Sequence, residues 1–150
     1  MDSDAVERTR VTVAIPVYNG EPFIARAIDS VLRQTFTDWS MIVVDDASTD
    51  GTADIVESHS DPRITLMREA ENARQAGNWN RCTLRSAGEY LMILCADDEL
   101  LPDALQNLVD ALDEHPSAGL AAGQRTVVTE TGRVLRGAYG LAGLSGLVAG

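Results

Sequence analysis

The sequence predicts an α/β protein built on a mostly parallel sheet, and three observations carry that prediction. Short β-branched runs alternate with helical stripes from Val11 to Glu114, the order that strand–crossover–strand units produce. Tyr90-Leu91-Met92-Ile93-Leu94 has no polar alternation, which fits a central strand buried on both faces. Two separate apolar runs close in paired acids, Asp45-Asp46 and Asp97-Asp98. A parallel sheet brings both pairs to the edge where its ligands bind, at the carboxyl ends of the strands.

Taken in order, residues 1–10 form a flexible lead-in, acidic and without the apolar core of a signal peptide. Val11–Val17 is the first strand. Tyr18–Glu21 is a turn, Pro22 takes the first helical position, and Phe23, Ile24, Ala27, Ile28, Val31 and Leu32 form a helical stripe. A second strand runs from Trp39 to Val44. Ser48, Thr49 and Asp50 are candidate N-caps for a short helix over Ala53–Ser58. Arg63–Met67 is a third strand, and Glu69–Gln75 is polar and irregular. A helix follows over Ala76–Ala87, then Gly88 and the central strand. From Pro102 to Glu114, Leu105, Leu108, Val109 and Leu112 share one helical face. Ala118–Ala122 reads as a small-residue strand, and Thr131-Gly132 as the turn of a hairpin between Val127-Val128 and Val134-Leu135. The core is expected over 11–135, and 136–150 is a glycine-rich tail too short and too broken for a membrane span.

Composition removes several classes. A net charge of −11 argues against nucleic acid or an anionic membrane as a surface-wide partner. All 12 basic residues are Arg. With no Lys there is no P-loop, and receiver domains and haloacid-dehalogenase-like phosphatases, which rely on a Lys beside their acids, fit poorly. The first strand–helix turn lacks G-x-G-x-x-G, which counts against a dehydrogenase. Cys82 and Cys95 read as reduced structural thiols, and a cytoplasmic protein without evident membrane association is expected. Trp39 and Trp79 read as packing residues, and His59 and His115 are given no role.

Acids at the ligand edge suit a divalent cation and, through it, phosphate oxygens. The plainer alternative is that they cap the helices that follow. Capping would account for either pair alone, but is strained as an explanation for both together with Tyr18 and Arg74.

These stretches resemble the N-terminal, nucleotide-binding half of a family 2 glycosyltransferase with the Rossmann-like GT-A fold. Ile15-Pro16-Val17-Tyr18-Asn19-Gly20 is similar to the family's opening turn. Asp45-Asp46-Ala47-Ser48-Thr49-Asp50-Gly51-Thr52 is similar to its Asp-Asp-x-Ser-x-Asp-x-Thr signature, and Gly88-Glu89-Tyr90 with Ala96-Asp97-Asp98 to the strand bearing its DXD-type motif. The resemblance implies that Pro16 and Tyr18 line the nucleotide base, Tyr18 by stacking, and that Asp46 accepts a hydrogen bond from it. Arg74 would lie near the nucleotide, Asp97 would touch ribose or metal, and Asp98 would bind Mn²⁺ or Mg²⁺. Glu21 fits a looser pattern and reads better as a first-turn acid. The implied donor is a nucleoside-diphosphate sugar, UDP-linked by preference, and the implied acceptor a saccharide or a lipid-linked hydroxyl, glycosylated with inversion. Cys95 stands where many members carry an Asp, and Asn72-Ala73-Arg74 lacks the glycine often found after the Asn. The catalytic base, which relatives carry in an acceptor-binding half, has no match in this chain. The catalytic residue is therefore left unassigned, and a non-catalytic nucleotide-binding module or inactive remnant is the alternative. The sugar, the acceptor and the oligomeric state are not encoded in any motif.

Overall fold

The computed structural model describes residues 9–129 and 131–139, so most of the expected lead-in and the end of the glycine-rich tail lie outside the described residues. The chain divides into two compact units, one up to Pro102 and one from Asp103 on. The first unit holds a four-stranded sheet with order β3-β2-β1-β4, in which every pairing is parallel. Its elements are β1 (Val11–Val17), α1 (Ile24–Leu32), β2 (Trp39–Asp45), α2 (Thr52–Ser58), β3 (Ile64–Arg68), α3 (Arg74–Arg85) and β4 (Tyr90–Ile93). The second unit holds α4 (Ala104–Glu114) and an antiparallel hairpin of β5 (Arg125–Val128) and β6 (Val134–Tyr139). The hairpin turn contains Gly132 at φ +78, a conformation glycine adopts without steric cost.

β1 and β2 are almost wholly buried, because α3 covers one face of the sheet and α2, backed by α1, the other. On the α3 side Ala14, Ile42 and Val44 pack with Cys82, and Met67 closes the patch. Burial drives the Cys82 thiol pKa up to about 11, so it behaves as a small hydrophobe. Trp39 is buried, with the Arg63 guanidinium stacked 3.7 Å from its ring centre, a packing role as expected.

Thr12, inside the sheet, is satisfied by accepting on Oγ1 from the N–H of Gly88 at 2.9 Å. A side chain at position 88 would collide with the Thr12 backbone at 2.7 Å, so this approach requires glycine. The β1–β4 ladder ends at Ala14 and Ile93, followed by one bond from Leu94 N–H to the Ala14 carbonyl. Pro16 therefore faces the β4 side beyond the last pairing, and its missing N–H breaks no ladder bond.

Several expectations are corrected. β4 is an edge strand among the described residues, paired only with β1, and Leu91 is 38% exposed. A four-residue apolar run looks the same at an edge as in the middle of a sheet. α1 begins at Ile24, not Pro22, because the Gly20 carbonyl accepts from both Phe23 and Ile24 and makes Glu21–Phe23 a turn. α3 begins at Arg74, two residues earlier than the periodicity implied. α4 begins at Ala104, since Leu100–Pro102 is drawn onto the end of α1: Ser30 Oγ accepts from Leu100, and the Leu101 and Pro102 carbonyls accept from Gln34 and Thr35. Ala118–Ala122 forms no strand, and its small side chains offer little surface to pack.

Candidate functional site

Strand order reverses between β1 and β4, and a crevice forms there at the carboxyl ends of the strands, as parallel sheets dictate. It has a volume of about 590 Å³, the size of an ordinary small-molecule site. Pro16 and Tyr18 enter it from the end of β1, Asp46 from the end of β2, Arg74 from the start of α3, and Asp97 from the loop after β4. Five residues singled out in the sequence thus share one cleft. Asp98 does not line it, but its carboxylate, that of Asp97 and the Cys95 thiol lie within 4.8 Å of one another at the rim.

The acidic strand ends divide their labour. Asp45 turns inward and accepts on Oδ1 from the Ser48 N–H at 3.0 Å. Asp46, only 2% exposed, accepts on Oδ1 from the Ala73 N–H at 2.8 Å and from Arg81 Nη1 at 2.6 Å. Between it and Ser48, Ala47 sits at φ +63, a left-handed conformation unusual for a residue with a Cβ. At the other strand end Asp97 and Asp98 stay exposed, while Glu99 pairs with Arg26 of α1 and with Arg33 just past its end, at 3.7 and 4.0 Å. None of these three acids caps the next helix, which starts only at Ala104.

Arg74 is the one cation among the described residues lining the cleft. Its backbone is at φ +63, and its N–H donates to Asn72 Oδ1 at 2.8 Å. Tyr18, 52% exposed, lines the cleft. Cys95 has its thiol pKa raised by burial and by the negative charges of Asp98 and Asp97.

Sequence reasoning missed Arg81, Asn78 and the cleft position of Trp79. Asn78 is buried, and its Nδ2 donates to the Val44 carbonyl at 2.9 Å, bracing the floor behind the cleft. Trp79 lines the cleft at 38% exposure, so the expectation of a purely packing residue needs correction. Only the helical register of α3, with Arg74, Gln75, Asn78 and Trp79 on one side, could have shown this.

The remaining signature residues join two loops. Asn19 N–H donates to Ser48 Oγ, Gly20 N–H to Thr52 Oγ1 and Glu21 N–H to Asp50 Oδ2. In return the Thr49 N–H donates to Asn19 Oδ1 and the Gly51 N–H to Glu21 Oε2. Ser48 and Thr49 are therefore cross-links to the first turn, not helix caps, and Glu21 shares that task. Burial pushes the Asp50 carboxyl up, but hydrogen bonds from Thr52 and the Glu21 backbone outweigh it and hold the pKa below the ordinary value. His59, just past α2, bonds the Ile55 carbonyl and faces Asp29, and it does not line the cleft.

The chain is thus a parallel α/β sheet with a crevice at its switch point and a pair of exposed carboxylates at the rim. The family model described as Glycosyl transferase family 2 matches residues 12–139, and the chain belongs to that family. EpsE of Bacillus subtilis (strain 168) is 36% identical over 109 residues, 71% of this chain and 39% of EpsE. The mannosyltransferase PcManGT of Pyrobaculum calidifontis, solved with GDP-Man and Mn²⁺, is 33% identical with a TM-score of 0.65 over 83% of this chain and 37% of its own. S. aureus TarS, solved with UDP-GlcNAc, has the same fold at a TM-score of 0.68 and 24% identity, over 79% of this chain and 40% of its own. The fold is thus GT-A. The chain spans about two fifths of the length of the first curated relatives it matches. No helix of the described residues is long and apolar enough to cross a membrane.

Proposed function

We propose that this chain is the donor-binding part of a cytoplasmic, inverting glycosyltransferase that takes a nucleoside-diphosphate sugar, UDP-linked by preference. The observation that carries the reading is the convergence of Pro16, Tyr18, Asp46, Arg74 and Asp97 on one cleft, with Asp98 beside it. The base stacks on Tyr18 with Pro16 beneath it, and Asp46 accepts its ring N–H. Arg74 faces the diphosphate, the only cation that the lining offers among the described residues, in a chain of net charge −11.

The carboxylates of Asp97 and Asp98 suit a hard divalent cation, Mn²⁺ or Mg²⁺, and Cys95 in place of a third carboxylate makes the site less anionic. When bound, such an ion supplies Lewis-acid neutralisation of the charge that builds on the departing diphosphate. Asp97 and Asp98 orient that end of the donor, and Trp79 and Phe23 add apolar rings to the lining. The acceptor, a saccharide or lipid-linked hydroxyl, requires a general base that is assigned to no residue of this chain.

The test is a thermal-shift screen of UDP, GDP, CDP and pyrophosphate, each with and without Mn²⁺ and Mg²⁺. Binding to the native state alone raises stability by about 2.7 kcal/mol at a hundredfold excess over Kd. A nucleotide response enhanced by metal supports the reading. A response to nucleotides with no transfer in the whole protein would favour a non-catalytic nucleotide-binding module, and no response to any would refute both.

A further inference from the structure

We propose that Arg81, which does not line the cleft, is a positioning residue that locks Asp46 with one oxygen inward and presents the other to the nucleobase, so that base selectivity depends on it. The inference rests on Asp46 being the acceptor for the base.

Both donors that Asp46 receives fall on the same atom. Arg81 Nη1 and the Ala73 N–H converge on Oδ1, and Oδ2 has no hydrogen bond among the described residues. Turning the carboxylate would break both bonds at once. Because Asp46 lines the cleft, Oδ2 is the oxygen left for a ligand, and an ionised carboxylate oxygen only accepts.

Arg81 is itself fixed from three directions. Nη1 and Nη2 donate to the Glu71 carbonyl at 3.2 and 3.3 Å, and Nε faces Glu69 Oε2 at 3.5 Å. Arg85 holds the other oxygen of Glu69 and, through that bond first, keeps the Glu69 carboxyl below its usual pKa range. The guanidinium fork thus ties the end of β2, the segment after β3 and α3 together at the back of the cleft. A lysine ammonium, a point donor on a flexible stem, cannot span Asp46, Glu71 and Glu69 together.

The chemistry that follows is selective. A base with a ring N–H beside a carbonyl, as in uracil or guanine, donates to Oδ2. A ring nitrogen that only accepts, as in cytosine, meets it lone pair to lone pair. Rejection of a base that leaves a buried polar group unpaired is the strongest form of discrimination available to such a site.

The experiment measures Kd by calorimetry for UDP, GDP, CDP and pyrophosphate on the 150-residue chain, with Mn²⁺ present throughout. The tighter of UDP and GDP is then compared with its ring-N-methylated counterpart. In the unmodified chain, a nucleotide that binds no better than pyrophosphate would refute the donor-cleft reading itself, whatever Arg81 does. In Arg81→Met the preferred nucleotide should weaken by about tenfold or more, the worth of a charge-assisted hydrogen bond. Pyrophosphate should change little, and the preference over the N-methyl counterpart should collapse. Arg81→Lys should recover part of that preference. Retention of the full preference in Arg81→Met, or equal weakening of nucleotide and pyrophosphate, would overturn the proposal. If circular dichroism shows that Arg81→Met does not fold, Arg81→Lys decides: an undiminished preference there overturns the proposal, and a reduced one supports it.

Discussion

At the scale of single residues, the two acidic strand ends make different predictions although they read alike in sequence. Asp46 is buried and already holds two donors on one oxygen. Asp46→Asn keeps the volume but removes the charge opposite Arg81 and can turn an NH₂ toward the base. Uridine nucleotides should weaken by roughly tenfold or more, the scale of a charge-assisted bond, and inorganic pyrophosphate much less. Equal losses in a calorimetric titration would remove Asp46 from the base pocket. Asp98 is exposed, beside Asp97 and Cys95. Asp98→Ala should abolish the part of the UDP-induced thermal shift that depends on Mn²⁺ and leave the metal-independent part. An unchanged metal response in that variant would remove Asp98 from the cation site.

At the scale of elements, the first turn and the loop after β2 behave as one clamp. Asp50 accepts from the Glu21 N–H at 3.1 Å, the Thr52 N–H at 3.1 Å and the Thr52 hydroxyl at 2.5 Å. Asp50→Ala should destabilise the chain by about 1–2 kcal/mol, the low side of what charge-assisted bonds contribute because the site is only partly buried. Urea unfolding would show it as a lower midpoint at unchanged slope. A midpoint within error of the parent would mean the clamp carries no stability. The sequence made this region visible but not its role. Ser48 and Thr49 look like caps because capping is a local pattern, whereas their partners lie about 30 residues away across a parallel pair; Asp50 does both, accepting locally from Thr52 at the start of α2 and distantly from Glu21. Arg81 was hidden for the same reason, since its bond to Asp46 depends on the register of α3. The strands, their acidic ends and the parallel α/β class were legible because period and the alternation of strand with helix are read along the chain. The edge position of β4 was not, because it depends on which strands lie beside it.

At the scale of the whole molecule, two outcomes follow, the first from charge. Asp61 is held below its ordinary pKa first by its hydrogen bond from Arg63, Glu69 first by that from Arg85, and Asp50 is lowered against its burial. Each is depressed in the folded state, so its stabilisation is full above the unfolded carboxylate range and is lost as pH falls through the folded values. Melting temperature should hold steady near neutrality and fall steadily below about pH 4. Melts followed by circular dichroism between pH 7 and pH 3 would check this, and a flat profile would contradict it. The second outcome concerns transfer. The residues proposed to hold the donor share one cleft, but no base is assigned, and base assistance typically contributes ~10²–10⁴ in rate. Ordering the acceptor can contribute on the order of 7–11 kcal/mol more. The 150-residue chain should therefore bind nucleotide yet transfer no sugar to any acceptor in a radiolabelled-donor assay. Robust transfer would show that the chain contains its own base and acceptor site.

Pro16 gives the cleft a safeguard. Parallel strands tend to zip onward wherever N–H and carbonyl groups remain in register, and β1 and β4 part immediately after the bond from Leu94 to Ala14. The next β1 residue facing β4 is Pro16, which has no N–H to offer. Another rung there would draw Cys95 and Ala96 against β1 and narrow the crevice that these residues line. The imino acid thus cannot donate the next rung of the ladder, and the crevice begins where the backbone lacks that one hydrogen atom.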